Sequence, residues 1–225
     1  MTNPLCNGVL FDLDGTLLDT ALDLGAAANH ALTQFGYPPI TDEQASLYAS
    51  HGSRGLLKAG LGDNFEHTDI APMKAALLAQ YDNEISVFTQ PYPGVSSLLE
   101  NLKRWQIPWG IVTNKPFALA EKLLKHQPAL SDCQCLIGGD TLAVAKPHPQ
   151  PLQLGATQIQ RSCESIFYIG DAERDVVAAN NAAMTSVAAL WGYISEADNE
   201  QSWPAHFRCK DLKDLEQLID SHRRS

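Results

Sequence analysis

At 225 residues the chain can bury a sizeable core and is too short for two separate enzymes, which leaves one large domain or a core carrying a smaller insertion. Hydrophobic residues make up 44% and aromatics 8%, as in a globular protein, and no window nears the ~18 uninterrupted apolar residues that a membrane span requires. A formal net charge of -10 disfavours nucleic acid and anionic membrane surfaces as partners, and it obliges any phosphate site to carry its own local positive charge.

Met1 to Asn7 have neither a basic start nor an apolar core, so no export signal is expected and a cytoplasmic location follows. Gly8-Val9-Leu10-Phe11 reads as a buried strand. It runs into Phe11-Asp12-Leu13-Asp14-Gly15-Thr16, where carboxylates two apart on extended backbone face the same side. Such a pair can hold a divalent cation through oxygen, with one acid attacking phosphorus while the other serves as general acid and base. Gly15 permits the sharp turn.

From about 20 to 88 the pattern is helical without a convincing strand. Thr41 and Gln44 form a capping box there, and Gly36-Tyr37-Pro38-Pro39 and Gly60-Leu61-Gly62-Asp63 form turns. Within it, His51-Gly52-Ser53-Arg54-Gly55 is the segment suited to reach a substrate, Arg54 being able to clamp a carboxylate.

Helical patterns at roughly 94 to 105, 116 to 127, 149 to 159 and 173 to 182 then alternate with apolar strands at Ile111-Val112, Ser165 to Ile169 and Ser186 to Leu190, with Cys135-Leu136-Ile137 a weaker strand. Thr113-Asn114, at one strand end, can donate to phosphoryl oxygens or cap the next helix. Lys146 stands in Ala145-Lys146-Pro147-His148-Pro149 as a lone cation able to neutralise a nucleophile and a phosphate together. Gly170-Asp171-Ala172-Glu173-Arg174-Asp175 ends a strand and opens a helix, which puts Asp171 and Asp175 one turn apart as further metal carboxylates. The five cysteines form no C-x-x-C pair and read as idle thiols. Leu212 to Ile219 suit a core or an interface, and the tail is expected to fray after Ser221. Oligomeric state is left open.

Each acidic, hydroxyl or cationic signal falls at the carboxyl end of an expected strand. The reading is therefore α/β: a Rossmann-like parallel sheet formed by 1–18 and 89–225, with an inserted α-helical cap, 19–88, over the edge where open sheets bind ligands.

With these motifs the chain resembles the haloacid dehalogenase superfamily over essentially its whole length, in its phosphoglycolate phosphatase branch. The resemblance implies Asp12 as nucleophile, Asp14 as acid and base, Thr113 as the hydroxyl that binds the phosphoryl group, Lys146 as the essential lysine, and Mg2+ held by Asp12, the backbone carbonyl of Asp14, Asp171 and Asp175. Asn114, His51 and Arg54 are the expected substrate contacts. The expected partner is a small phosphate ester. Trp109 to Pro116, Trp191 to Ile194, Asp198-Asn199 and Trp203 are similar to N-acetylmuramic acid 6-phosphate phosphatases of cell-wall recycling, with 2-phosphoglycolate the alternative substrate. Asp14 argues against a dehalogenase, whereas a sugar-phosphate mutase or a non-catalytic binder on this fold stays open. Ala172, His148 and His51 depart from the residues frequent at their positions.

Overall fold

The structure, a computed structural model, describes residues 4–195 and 198–223. It bears out the α/β expectation: six parallel strands in the order β5-β4-β1-β6-β7-β8. They are β1 Gly8–Phe11, β4 Trp109–Val112, β5 Leu136–Ile137, β6 Ile166–Gly170, β7 Thr185–Ala189 and β8 Phe207–Cys209. Every residue of β1, β4, β6 and β7 is buried, as a parallel sheet covered on both faces requires. The registers Phe11 opposite Ile111 on one side and Ile169 on the other bring three strand ends level. Phe11 and Trp109 meet edge to face with ring centroids 6.1 Å apart. Strand β1 sits where the chain order reverses, the position at which open α/β sheets gather ligands.

Between β1 and β4 the chain leaves through β2 (Leu18–Asp19) and returns through β3 (Gln90–Pro91), an antiparallel pair two residues long. Four helices lie between them: α1 Ala21–Gln34, α2 Asp42–Tyr48, α3 Gly52–Leu61 and α4 Ala71–Asn83. Thr41 and Gln44 form the expected capping box at the start of α2. The expected turn at 60 to 63 begins later, because α3 runs through Leu61 and Gly60 packs against Leu32. One continuous buried cluster reaches from the sheet, at Val9, Phe11 and Ile111, into the helices at Leu32, Leu56 and Leu77.

The remaining helices are α5 Val95–Arg104, α6 Phe117–Lys125, α7 Gln150–Gln158, α8 Glu173–Asn181 and α9 Leu212–His222. Sequence reading misses β2, β3 and β8, since strands of two or three residues show no period. The expected fraying after Ser221 is corrected in part. Helix α9 continues to His222, whose carbonyl accepts the Cys6 N–H at 2.8 Å and whose ring packs on Phe167 and Phe207; residues 224 and 225 lie outside the described residues.

Asp23 of α1 fastens the returning strand. Its buried carboxylate accepts the N–H groups of Val87, Phe88 and Thr89 and the Thr89 hydroxyl, at 2.6 to 3.2 Å. Asp23→Ala would leave these donors unpaired inside the protein and is expected to cost about 3 kcal/mol, read from the urea midpoint. An unchanged midpoint would show that water replaces the clasp.

Candidate active site

Strand β1 delivers Asp12 to the carboxyl edge of the sheet, buried, with Leu13 N–H donating to Oδ1 at 2.7 Å. Gly15 follows with φ +80°, and a Cβ there would overlap the Asp171 carboxylate, so both the turn and the close approach require glycine. Asp171 ends β6. It accepts the Tyr193 N–H at 2.9 Å, and the Thr16 hydroxyl lies 3.5 Å away. Asp175 sits one turn further, in α8, and its Oδ2 accepts the Ala172 N–H at 3.1 Å, closing the helix start.

The Lys146 side chain is fully buried. Its Nζ stands 3.0 Å from Asp12 Oδ2 and 2.7 Å from Asp175 Oδ1. It also donates to the Val112 carbonyl at 2.9 Å and to Tyr168 Oη at 2.7 Å. Asn114, expected to donate to a phosphoryl group, is engaged elsewhere: its amide donates to the Lys146 carbonyl at 2.9 Å and its oxygen accepts the Lys146 N–H at 3.0 Å. It therefore pins the lysine loop. Thr113 is buried beside it, and its Oγ1 accepts the Lys115 N–H at 3.2 Å.

The Asp14 side chain has partners of its own. Its Oδ1 takes hydrogen bonds from Thr20 Oγ1 at 2.7 Å and Lys115 Nζ at 2.9 Å. Arg174 brings a guanidinium nitrogen to 4.0 Å from Asp12 Oδ2, with its buried Nε unpartnered.

Two carboxylates, Asp12 and Asp175, thus share one ammonium, with Asp171 close by. Burial pushes the Asp12 carboxyl up, but the Lys146 charge, then Arg174 and the Leu13 N–H, pull it below the usual carboxylate range. Asp12 is ionised and partly stripped of water. Asp171 goes the other way: burial, then the charges of Asp12 and Asp175, push it up to about 7. Asp175 is also raised, chiefly by burial. Oxygens of Asp12, Asp171 and Asp175 lie within 4.8 Å of one another. With all three acids ionised, Lys146 and Arg174 would offset only two of the three negative charges. Hard oxygen donors with excess negative charge suit a divalent cation.

Asp12 and Arg174 open on a cavity of about 860 Å³, lined from the sheet side also by Asp14, Thr113 and Lys115 and from the inserted helices by His51, Arg54, Lys58, Lys74 and Tyr81. The structure brings His51 and Arg54 to the same cavity as Asp12. The Arg54 guanidinium lies 4.8 Å above the Phe65 ring, and His51 Nε2 is 3.8 Å from Asp198. Trp109, Trp191 and Trp203 line none of it. Trp109 and Trp203 are core, and Trp191 Nε1 donates to the Thr16 carbonyl at 3.0 Å.

Four contributors escaped the sequence reading: Tyr168, Lys115, Tyr81 and Arg174. Only Tyr168 carried a signal, a hydroxyl inside an otherwise apolar buried strand that had to find a partner. Lys115 and Arg174 look like ordinary surface cations in sequence.

The model of the family described as haloacid dehalogenase-like hydrolase matches residues 9–189, and the chain belongs to that family. Among named relatives it is 44% identical over 200 residues to a phosphoglycolate phosphatase of Xanthomonas campestris pv. campestris (strain 8004), covering 88% of this chain and 89% of that one. It is 31% identical over 212 residues to the N-acetylmuramic acid 6-phosphate phosphatase of Pseudomonas aeruginosa, covering 94% of each. A solved structure described as a predicted phosphoglycolate phosphatase from Haemophilus somnus 129PT shares the fold, with a TM-score of 0.81 at 24% identity over 95% of this chain and 97% of that one. The protein is an enzyme, a phosphatase of this family, acting on small phosphate esters. No helix among the described residues is long and apolar enough to cross a membrane.

Between the ordinary carboxylate value of about 4 and about 7, folded Asp171 keeps a proton that the unfolded chain has released. The folded state binds more protons in this window, so stability falls as pH rises through it. In chelator the thermal midpoint should decline from pH 4.5 to 7.5, and Asp171→Asn should flatten that slope; an unaltered slope would assign it to other groups.

Proposed function

We propose that the chain is a Mg2+-dependent phosphomonoester hydrolase that carries the phosphoryl group on Asp12 and acts on a small carboxylated phosphate ester. The observation that carries this reading is Asp12 itself: a buried carboxylate, held ionised by Lys146 and facing a cavity with a second acid alongside. Asp12 attacks phosphorus, the ester P–O bond breaks, and Asp14 gives its proton to the departing oxygen. Asp14 then takes a proton from water as the water attacks phosphorus and releases Asp12. Lys146 is suited to offset charge on Asp12 and the phosphoryl oxygens throughout, with Thr113 as a nearby hydroxyl donor.

Asp12, Asp171 and Asp175 would hold the Mg2+, together with the Asp14 carbonyl expected from the family. The metal supplies positive charge for the phosphoryl oxygens in a site that otherwise ends with excess negative charge. The helical segment, 19–88, is read as a cap that excludes water while the ester bond breaks.

N-acetylmuramic acid 6-phosphate is the favoured substrate. The cavity of about 860 Å³ is far larger than a two-carbon ester needs, and Arg54, Lys58 and Lys74 set cations on the cap side of it, opposite Asp12. Apolar walls at Leu77, Leu78 and Leu119 suit a sugar with acyl and lactyl substituents. That substrate fits a cytoplasmic role in recycling cell-wall sugars. A second reading, 2-phosphoglycolate, is favoured by the more similar relatives named for it.

Phosphate release from both esters should require Mg2+ and vanish in Asp12→Asn, by at least about 10³-fold. Release that survives that substitution would remove Asp12 as nucleophile, and the better ester decides between the substrates. Arg54→Ala should raise KM for the carboxylated ester about ten-fold and leave 4-nitrophenyl phosphate nearly unaffected; equal effects on both would deny Arg54 the carboxylate.

A further inference from the structure

A second buried ion pair stands in the cavity, separate from Lys146. Lys115 follows Thr113-Asn114 at the end of β4, and its side chain is 6% exposed. Its Nζ makes two hydrogen bonds of 2.9 Å, one to Asp14 Oδ1 and one to the hydroxyl of Tyr81. Tyr81 belongs to α4, within the inserted helices, and is itself 1% exposed. The ammonium also lies 4.3 Å from the centre of the Tyr81 ring. A residue of the sheet and a residue of the helical insertion therefore meet on the carboxylate expected to move the proton.

The two oxygens of that carboxylate are not equivalent. Oδ1 receives both Lys115 and the Thr20 hydroxyl, whereas Oδ2 has no hydrogen bond to any described residue. Two donors on one oxygen fix the rotation of the carboxyl about its Cβ–Cγ bond and leave the other oxygen to carry a proton. Burial by itself would favour a neutral lysine, but Asp14 and Tyr81 together more than reverse this, so the ammonium persists. No other described residue takes the Tyr81 hydroxyl as a hydrogen-bond partner. Withdrawal of α4 would take from Lys115 one of the two acceptors that hold it on Asp14.

We propose that Lys115 is the positioning residue for the acid and base Asp14, holding Oδ1 so that Oδ2 transfers the proton, and that Tyr81 makes this alignment depend on the seated cap. The inference rests on the phospho-Asp12 mechanism above. As the bond from phosphorus to the ester oxygen breaks and the Asp12–phosphorus bond forms, the proton on Oδ2 passes to the departing oxygen. In the second half Oδ2 takes a proton from water as the oxygen–phosphorus bond forms and the Asp12–phosphorus bond breaks. Lys115 keeps its protons in both halves, and cap closure acts on proton transfer as well as on water.

The test separates a leaving group that needs a proton from one that does not. 4-Nitrophenyl phosphate loses a stable phenolate, so its rapid-mixing burst reports attack by Asp12 alone. N-acetylmuramic acid 6-phosphate and 2-phosphoglycolate lose an alkoxide and need Asp14; the one that wild type turns over faster is the second probe. Tyr81→Phe, nearly the same shape, should lower kcat on the alkyl ester about ten-fold with KM within two-fold, and leave the burst rate within two-fold of wild type. Lys115→Met should show the same split at about a hundred-fold, Lys115→Arg should recover part of it, and Tyr81→Phe should add nothing in the Lys115→Met background.

A burst slowed as much as alkyl turnover in Tyr81→Phe would overturn the proposal, leaving a role in packing or phosphoryl binding. Effects of the two substitutions that multiply would overturn the coupling to the cap. Asp12→Asn distinguishes this from failure of the underlying mechanism, since only there should the burst disappear.

Discussion

One ammonium organises the catalytic edge of this protein. Lys146 Nζ has no solvent contact and is surrounded by Asp12 after β1, the Val112 carbonyl of β4, Tyr168 of β6 and Asp175 of α8. An unpaired buried charge would cost several kcal/mol, so the fold meets it with oxygens from three strands and a helix. Asn114 fixes the backbone of the same lysine from both sides. Removing Lys146 would leave Asp12 and Asp175 without that counter-charge, and the strand ends and the site are held together by the same contacts.

The electrostatics resolve a difficulty posed by the composition. A chain of net charge -10 repels anions at long range, yet its cavity is lined by Arg54, Lys58, Lys74, Lys115 and Arg174, with Lys146 buried behind Asp12. Positive charge is concentrated where field lines are confined by low-dielectric walls. Within the site the acids outnumber the cations, and burial first, then the charges of Asp12 and Asp175, push Asp171 up to about 7. A bound divalent cation would offset that negative charge.

The helical insertion is bound to the core by polar as well as apolar contacts. Asp23 clasps the returning strand, Tyr193 Oη meets the Thr20 N–H and Asp19 at the outgoing one, and Lys115 joins Tyr81 to Asp14 across the cavity. Each is a short-range, directional contact close to a crossing point or to a reacting group.

The amino-acid sequence by itself determined the alternation of apolar strands and helices and the insertion after the first strand, and it singled out Asp12, Asp14, Lys146 and Asp171 as candidate positions. Those features are local, resting on spacing, turn residues and strand period within a few residues. It did not disclose the Lys115–Tyr81 contact, the Tyr168 support, the position of Arg174, or the use of Asn114 to hold Lys146 in place of a phosphate. It also gave the tryptophans a prominence that the cavity does not confirm. These were decided by tertiary structure, because they depend on which side chains distant in the chain are brought together in a buried interior. There burial, rather than sequence spacing, decides which charge must find a partner.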